Sequence, residues 1–109
     1  MDDGLTKNAR SVLKAAYDTY KKRTKNGISP RNAKNFSFLS DIEGHKLDPR
    51  ALEDAAVELD HAGFMKLWGV DAQLTEQGIA KMEEMHKQGQ DTVLQWLKDG
   101  LSFVLPFLK

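Results

Sequence analysis

Apolar positions in the first quarter of the chain predict one long amphipathic helix over residues 5–25. Thr6 or Asp3 is placed to cap its start, and Asn26-Gly27 follows its last turn as a stop signal. Six side chains recur at i, i+3, i+4, i+7, i+8 and i+11, the spacing of one buried stripe. They are Ala9, Val12, Leu13, Ala16, Tyr17 and Tyr20. We expect both tyrosines to belong to the core.

A second strongly marked helix is predicted over residues 47–62. Asp48 is its expected N-cap and Pro49 takes the first helical position, while Leu47 and Leu52 are spaced as a hydrophobic staple. Gly63 ends the helix. The inward positions at helical spacing are Leu52, Ala55, Ala56 and Leu59.

A hairpin and a further helix follow. Residues 64–68 are predicted to form one strand and residues 72–74 a short returning strand, joined by the turn Gly69-Val70-Asp71. Thr75 then caps a helix over residues 76–86, and Gly89 interrupts the chain after it. The inward side chains of this helix are Ile79, Met82 and Met85.

Residues 28–46 allow two interpretations. In the first, Ser29 and Pro30 cap a turn through Ala33. In the second, Asn35 or Ser37 caps a helix to about residue 43, which buries one of the neighbouring phenylalanines. The apolar candidates for that helix are Phe36, Phe38, Leu39 and Ile42. Gly44-His45-Lys46 is then the turn before the helix over residues 47–62.

The last segment, residues 89–109, predicts an unusually apolar helix that starts at Asp91 or Thr92 and kinks or ends near Pro106. Its apolar surface needs a cover: its own domain, a second copy of the chain or a membrane interface. Its polar face sums to zero charge, whereas interfacial helices usually carry a basic face, so we expect no membrane and favour a homodimer. The predicted interface residues are Val93, Leu94, Trp96, Leu97, Leu101, Val104, Leu105 and Leu108.

Composition describes an ordinary globular domain. The chain has 109 residues, 40% hydrophobic and 29% charged, which fits one domain: a core over residues 1–88 with the helix of residues 89–109 added. It has no cysteine, so disulfides and thiolate metal sites are excluded. Neither a secretory signal nor a membrane span is predicted, and we expect a soluble, cytoplasmic protein.

The net charge of zero hides a polarised chain. Residues 1–40 carry nine bases against three acids, a net +6, while residues 41–109 carry seven bases against thirteen acids, a net −6. Such a chain attracts a polyanion to one face or the opposite pole of a second copy.

Motifs for chemistry are scarce. His45, His61 and His86 lie far apart in sequence and have no helical i, i+4 partner, so we expect no metal and no cofactor. No phosphate loop, nucleophile elbow or catalytic triad pattern occurs, and we expect no enzyme.

Two strings, LDPRALEDAAVELDHAGFMKL and LTEQGIAKME, resemble the second half of a winged helix-turn-helix domain. The resemblance implies a mainly α fold with a small β-hairpin, a short strand residue near residues 28–30 and an added C-terminal amphipathic helix. It is closest to small bacterial or phage winged-helix proteins with a terminal dimer helix, some of them transcriptional repressors. Such domains mostly bind duplex DNA, with the third helix in the major groove and the wing on the backbone or minor groove.

The predicted helix over residues 47–62 corresponds to the third helix of such a domain, the one that reads DNA. It is acidic, because its expected solvent side carries Glu53, Asp54 and Glu58. One hypothesis is therefore a DNA-binding regulator whose contacts shift to basic residues elsewhere. These are Lys21, Lys22, Arg23, Lys25, Arg31 and Lys34, with help from Arg50 and Lys66. The alternative is a protein-interaction module in which the acidic helix and Trp68 meet a basic or apolar partner.

Overall fold

A central helix, α1 (Lys7–Lys25), contacts each of the four other helices found in the described part of the chain. The computed structural model describes residues 3–69 and 71–99. After α1 come α2 (Pro30–Ala33), β1 (Asn35–Phe36), a 3-10 turn (Leu39–Asp41), α3 (Pro49–Ala62), β2 (Met65–Trp68), β3 (Asp71–Leu74), α4 (Glu76–Gln88) and α5 (Gln90–Lys98). The fold is mainly helical with a small antiparallel sheet, which confirms the predicted class in its coarse form.

The first helix forms as its stripe predicts. The Thr6 hydroxyl accepts a hydrogen bond from the backbone N–H of Ala9 at 3.2 Å, so Thr6 is the N-cap. Tyr17 is buried and Tyr20 packs at the edge of the core. Arg10, Ala15 and Thr19 are also buried, because α5 and the turn after residue 42 cover a second face of the helix.

The punctuation of α3 is also confirmed. The Asp48 carboxylate accepts the backbone N–H of Ala51 at 2.8 Å, and Pro49 opens the helix. Gly63 ends it in the left-handed conformation, with a φ of 86° that a residue with a Cβ adopts at a cost. Leu52, Ala55, Ala56 and Leu59 are buried, as their spacing predicts.

The sheet has three strands in the order β1-β3-β2, so the predicted hairpin (β2 and β3) is present, and the sequence prediction missed β1. Asn35 pairs with Gln73 and Phe36 with Ala72, both antiparallel. The first interpretation of residues 28–46 is confirmed, since Ser29 caps α2 at Pro30. The second is wrong: Phe36 reaches the core from a strand and Phe38 stays exposed.

The prediction of a strand residue near residues 28–30 is wrong as well. Ser29 and Pro30 begin α2, and Ile28 is exposed. The strand comes later, at β1, where Phe36 can be buried while the backbone pairs with the edge of β3. A helix over 35–43 would give up this pairing.

Helices α4 and α5 close the core on the other side of α1. Thr75 caps α4 by accepting the backbone N–H of Gly78 at 3.0 Å. Met82 and Met85 are buried, and Ile79 is partly buried, as predicted. Gly89 separates α4 from α5 with a φ of 120°, which confirms the predicted interruption.

Candidate nucleic-acid interface

Basic side chains gather where α1 ends and α2 begins. Three cations fall in the last turn of α1, where they suit the negative end of the helix dipole. Gly27, with a φ of 91°, turns the chain, and the Ser29 cap with Pro30 starts α2 a few residues on. The basic surface, as we define it, consists of Lys21, Lys22, Lys25, Arg31 and Lys34.

Four members of the basic surface are not neutralised by any ion pair within the described part of the chain. Only Lys22 has one, with Glu43 at 3.2 Å, and both side chains are about two-thirds exposed, so this pair contributes little. On the far side, Arg31 and Lys34 line one surface depression together with Glu76 and Glu83 of α4. A second depression brings Asp18 beside Lys21, Lys22 and Lys25. The basic surface therefore has acidic neighbours on both sides, but among the residues described only Lys22 forms an ion pair with one.

Arg23 lies beside these cations but is already used by the fold. Its Nη1 donates to the carbonyl oxygen of Asn35 at 2.7 Å and, more weakly, to that of Ala33 at 3.4 Å. Its guanidinium carbon lies 4.8 Å from the centre of the Phe36 ring, a cation–π contact. Arg23 thus links β1 to α1, a role that could not be predicted from the run of basic residues in the sequence.

The two remaining predicted cations lie on other elements. Arg50 is exposed in the first turn of α3. Lys66 is exposed on the outer face of β2, with its Nζ 5.3 Å from the centre of the Trp68 ring. In the regions that the structure covers, neither of them forms an ion pair with an acid.

The solvent side of α3 is less acidic than its sequence suggests. Glu58 was expected on that side, which is wrong: its carboxylate accepts the backbone N–H of Thr6 at 2.7 Å and the Thr6 hydroxyl at 2.8 Å. The start of α1 supplies donors that need acceptors, and Glu58 satisfies two of them. Asp60 similarly accepts the backbone N–H of Leu67 at 3.2 Å.

What remains exposed on α3 is a short mixed face. The side chains are Arg50, Glu53, Asp54, Val57 and His61. Glu58 and Asp60 keep their negative charges, but their hydrogen bonds hold the carboxylates at Thr6 and Leu67. A phosphate backbone at this face would therefore directly meet two carboxylates beside one arginine.

The outer face of the sheet carries an exposed aromatic side chain. Trp68 is 50% exposed, and alternation places Lys66 and Gln73 on the same face of the sheet. Phe38, just after β1, is 56% exposed. Trp68 is therefore available to a partner and is not part of the core.

The described part of the predicted dimer helix packs within its own chain. Val93 and Trp96 are buried against the core, Leu97 is partly buried and Leu94 is 45% exposed. The other predicted interface residues, Leu101, Val104, Leu105 and Leu108, lie outside the described residues, as does the predicted kink near Pro106. The homodimer stays a prediction.

Residues 3–69 and 71–99 were also compared with the requirements of a metal site and of a membrane-spanning helix. No cluster of three or more His, Asp or Glu side chains there is arranged to hold a metal ion. No helix in the same ranges combines the length and apolar character needed to cross a membrane. Comparison with models of protein families, with curated proteins and with solved structures finds no match.

Proposed function

We propose that this chain is a winged helix-turn-helix protein that binds duplex DNA without catalysing a reaction, as a transcriptional regulator. The order of elements supports the fold: α3 leads directly into the β2–β3 hairpin, and β1 adds to the far side of β3. In such a domain α3 is the helix that approaches the groove and the hairpin is the wing.

The observation that carries the function is the basic surface. Lys21 and Lys25 lie on α1, Arg31 lies on α2 and Lys34 directly follows α2. None of the four forms an ion pair with an acid among the described residues. Phosphate contacts supply most of the affinity for duplex DNA, and exposed, unneutralised cations release the most counterions. Arg23 is left out of the proposed contacts because the fold holds its guanidinium.

The hydrogen bonds of Glu58 and Asp60 support the same proposal. With both carboxylates accepting backbone N–H groups, the exposed charged side chains of α3 are Arg50, Glu53 and Asp54. In the proposed complex, Arg50 and Lys66 add contacts from α3 and the wing, while the basic surface supplies most of the affinity.

A triple variant tests the basic surface. Lys25→Ala, Arg31→Ala and Lys34→Ala together should flatten the slope of log K against log salt by about 2.7, since each lost phosphate contact removes about 0.9. The measurement is fluorescence anisotropy with a labelled duplex of arbitrary sequence. All sequences should weaken about equally.

The matched control removes the same charge elsewhere. Lys7, Lys87 and Lys98 are exposed cations at the start of α1 and the ends of α4 and α5. Changing these three to Ala should leave the slope almost unaltered. If both triple variants lower affinity equally, binding follows overall charge and the basic surface is not the contact.

A second candidate function is favoured by the exposed aromatic side chains. Trp68 and Phe38 are each at least half exposed, which suits a protein partner better than a phosphate backbone. If the wild-type chain binds no duplex even at about 50 mM salt, this protein-interaction function replaces the first. Trp68→Ala should then abolish capture of a protein partner while leaving the fold intact.

A homodimer completes the proposal. The half-exposed Leu94 and the partly buried Leu97 adjoin the apolar residues that follow in sequence, and a second copy is the cover that we favour. Equilibrium sedimentation of the wild-type chain tests it: a monomer at every concentration would reject the dimer without affecting DNA binding by the basic surface.

A further inference from the structure

Four donors from separate parts of the chain converge on one carboxylate near its start. Oδ1 of Asp3 accepts the backbone N–H of Leu5 at 3.0 Å and Nη2 of Arg10 at 2.7 Å. Oδ2 accepts the indole Nε1 of Trp96 at 2.7 Å and lies 3.1 Å from Nζ of Lys81. These donors belong to α1, α4, α5 and the segment before α1, so one side chain joins all of them.

The surroundings of this carboxylate are built for an anion. The side chains of Asp3 and Arg10 are only 9% and 2% exposed. Burial alone raises the pKa of Asp3, but the hydrogen bonds from Trp96, the Leu5 N–H, Lys81 and Arg10 outweigh it and lower the pKa to about 2. The group is therefore held in its ionised form.

A cavity of about 480 Å³ lies between α4 and α5, next to three of these four donor residues. Arg10, Lys81 and Trp96 all line it, together with the apolar side chain of Met85. This volume is that of a small-molecule pocket with an apolar body and a few fixed polar groups.

We propose that Arg10, Lys81 and Trp96 form a carboxylate-binding site that Asp3 fills from within the chain. The ligand that competes for it from the cavity is a small monocarboxylic acid with an apolar body. The acid group takes the place of the Asp3 side chain, and the apolar body lies against Met85 and the indole.

The cavity rim narrows the class of ligand. Glu84, Asp91 and Asp99 stand at its edge, and all three are exposed. Their charges disfavour phosphates and dicarboxylates, which bring at least one further negative charge past the rim. A single carboxylate on an uncharged body meets the donors with the least repulsion from these acids.

Displacement has a structural consequence. Arg10 and Lys81 stay neutralised by the ligand, so α1 and α4 keep their contacts, while the segment that carries Asp3 loses its attachment to α5. The site would thus couple a small acid to the freedom of residues before α1. This inference does not depend on DNA binding.

Benzoate is the probe that tests the site. Trp68→Phe leaves Trp96 as the single tryptophan of a chain that has two, so its fluorescence reports the site alone. Adding Asp3→Ala to this variant opens the site, and benzoate should then bind at least about tenfold more tightly than with Asp3 present, because a tethered side chain competes at millimolar effective concentration. At about ten times its dissociation constant, benzoate should raise the melting temperature of the opened variant by roughly 5–10 °C.

Three comparisons keep the result specific. Chloride at equal ionic strength should change neither the Trp96 fluorescence nor the melting temperature of the opened variant. Asp71→Ala in the same Trp68→Phe background removes an exposed acid elsewhere and should create no benzoate site. Adding Lys81→Ala to the opened variant should weaken the binding of benzoate, because it removes one hydrogen-bond donor from the site. If Asp3→Ala does not fold alone, Asp3→Asn takes its place, because the amide cannot satisfy the two cations.

The proposal is overturned if benzoate affects the opened variant no more than chloride does. It is equally overturned if benzoate binds with the same affinity whether Asp3 is present or not, since the ligand would then lie elsewhere.

Discussion

The close approach of Gly78 to the start of β2 makes the sharpest prediction about the fold. A Cβ built on Gly78 would lie 2.3 Å from the carbonyl oxygen of Phe64 and 3.1 Å from Cδ1 of Leu74. Carbon and oxygen normally approach no closer than about 3.3 Å. Gly78→Ala therefore forces the first turn of α4 away from the backbone at Phe64 by about 1 Å.

The cost follows from the contacts that this separation breaks. Overpacking contributes about 1–3 kcal/mol. The displaced turn also strains two hydrogen bonds, Thr75 N to the Phe64 carbonyl at 3.2 Å and the Thr75 hydroxyl to the Gly63 carbonyl at 2.7 Å, each contributing about 0.5–1.5 kcal/mol. Alanine returns at most about 1 kcal/mol of helix propensity. We expect a net loss of about 2–4 kcal/mol in the free energy of unfolding.

Urea denaturation followed by far-UV circular dichroism measures this loss. Ala80→Gly is the matched control, since Ala80 is exposed in the same helix and the change isolates helix propensity, with an expected loss of about 1 kcal/mol. If Gly78→Ala is as stable as the wild type or more stable, the glycine is not required for a close approach and the hairpin does not dock on α4 as described.

Two further predictions concern hydrogen-bonded carboxylates, those of Glu58 and Asp3. Glu58→Ala removes both acceptors of Thr6 and should lower the free energy of unfolding by about 1–3 kcal/mol in thermal melts, whereas Glu53→Ala on the exposed face should change it little. Because the pKa of Asp3 is depressed in the folded state, to about 2 from an ordinary 3.8, its stabilisation is complete above about pH 4 and is lost as the pH falls towards 2. Between about pH 4 and pH 2, the free energy of unfolding should fall by roughly 2 kcal/mol less in Asp3→Asn than in the wild type, measured by urea denaturation at a series of pH values. An equal fall in both proteins would contradict the contacts assigned to Asp3.

Local signals in the sequence were enough for most of the helices. Thr6, Asp48 and Thr75 each cap the helix that follows, and Gly63 and Gly89 mark ends, because these features depend on residues a few positions apart. Spacing of apolar residues also identified the inward side of α1, α3 and α4.

Strand β1 could not be predicted in the same way. It is two residues long, Asn35 and Phe36, and it exists because β3 offers an edge at Gln73 and Ala72, far along the chain. Residues 35–36 have no alternation of their own long enough to read. From the local sequence alone, a helix beginning at Asn35 is as compatible with these residues as a strand is.

The candidate site shows the same limit. The cluster of basic residues was visible in the sequence, but the role of Arg23 depends on carbonyls of residues 33 and 35 that only the fold brings near. Likewise, the position of Glu58 at Thr6 joins residues 52 apart. Sequence spacing placed Glu58 on α3 but not against α1, so it overstated the acidity of the exposed face.

If duplex DNA binds to the basic surface, its affinity must depend steeply on salt, and a titration can measure this. The wild-type chain is titrated into a labelled duplex of arbitrary sequence, by fluorescence anisotropy, at about 50 mM and about 200 mM salt. We predict binding at the lower salt and a loss of affinity of at least about tenfold at the higher salt, as expected for several released counterions. Absence of binding at the lower salt, or an affinity that salt does not change, would contradict the proposal.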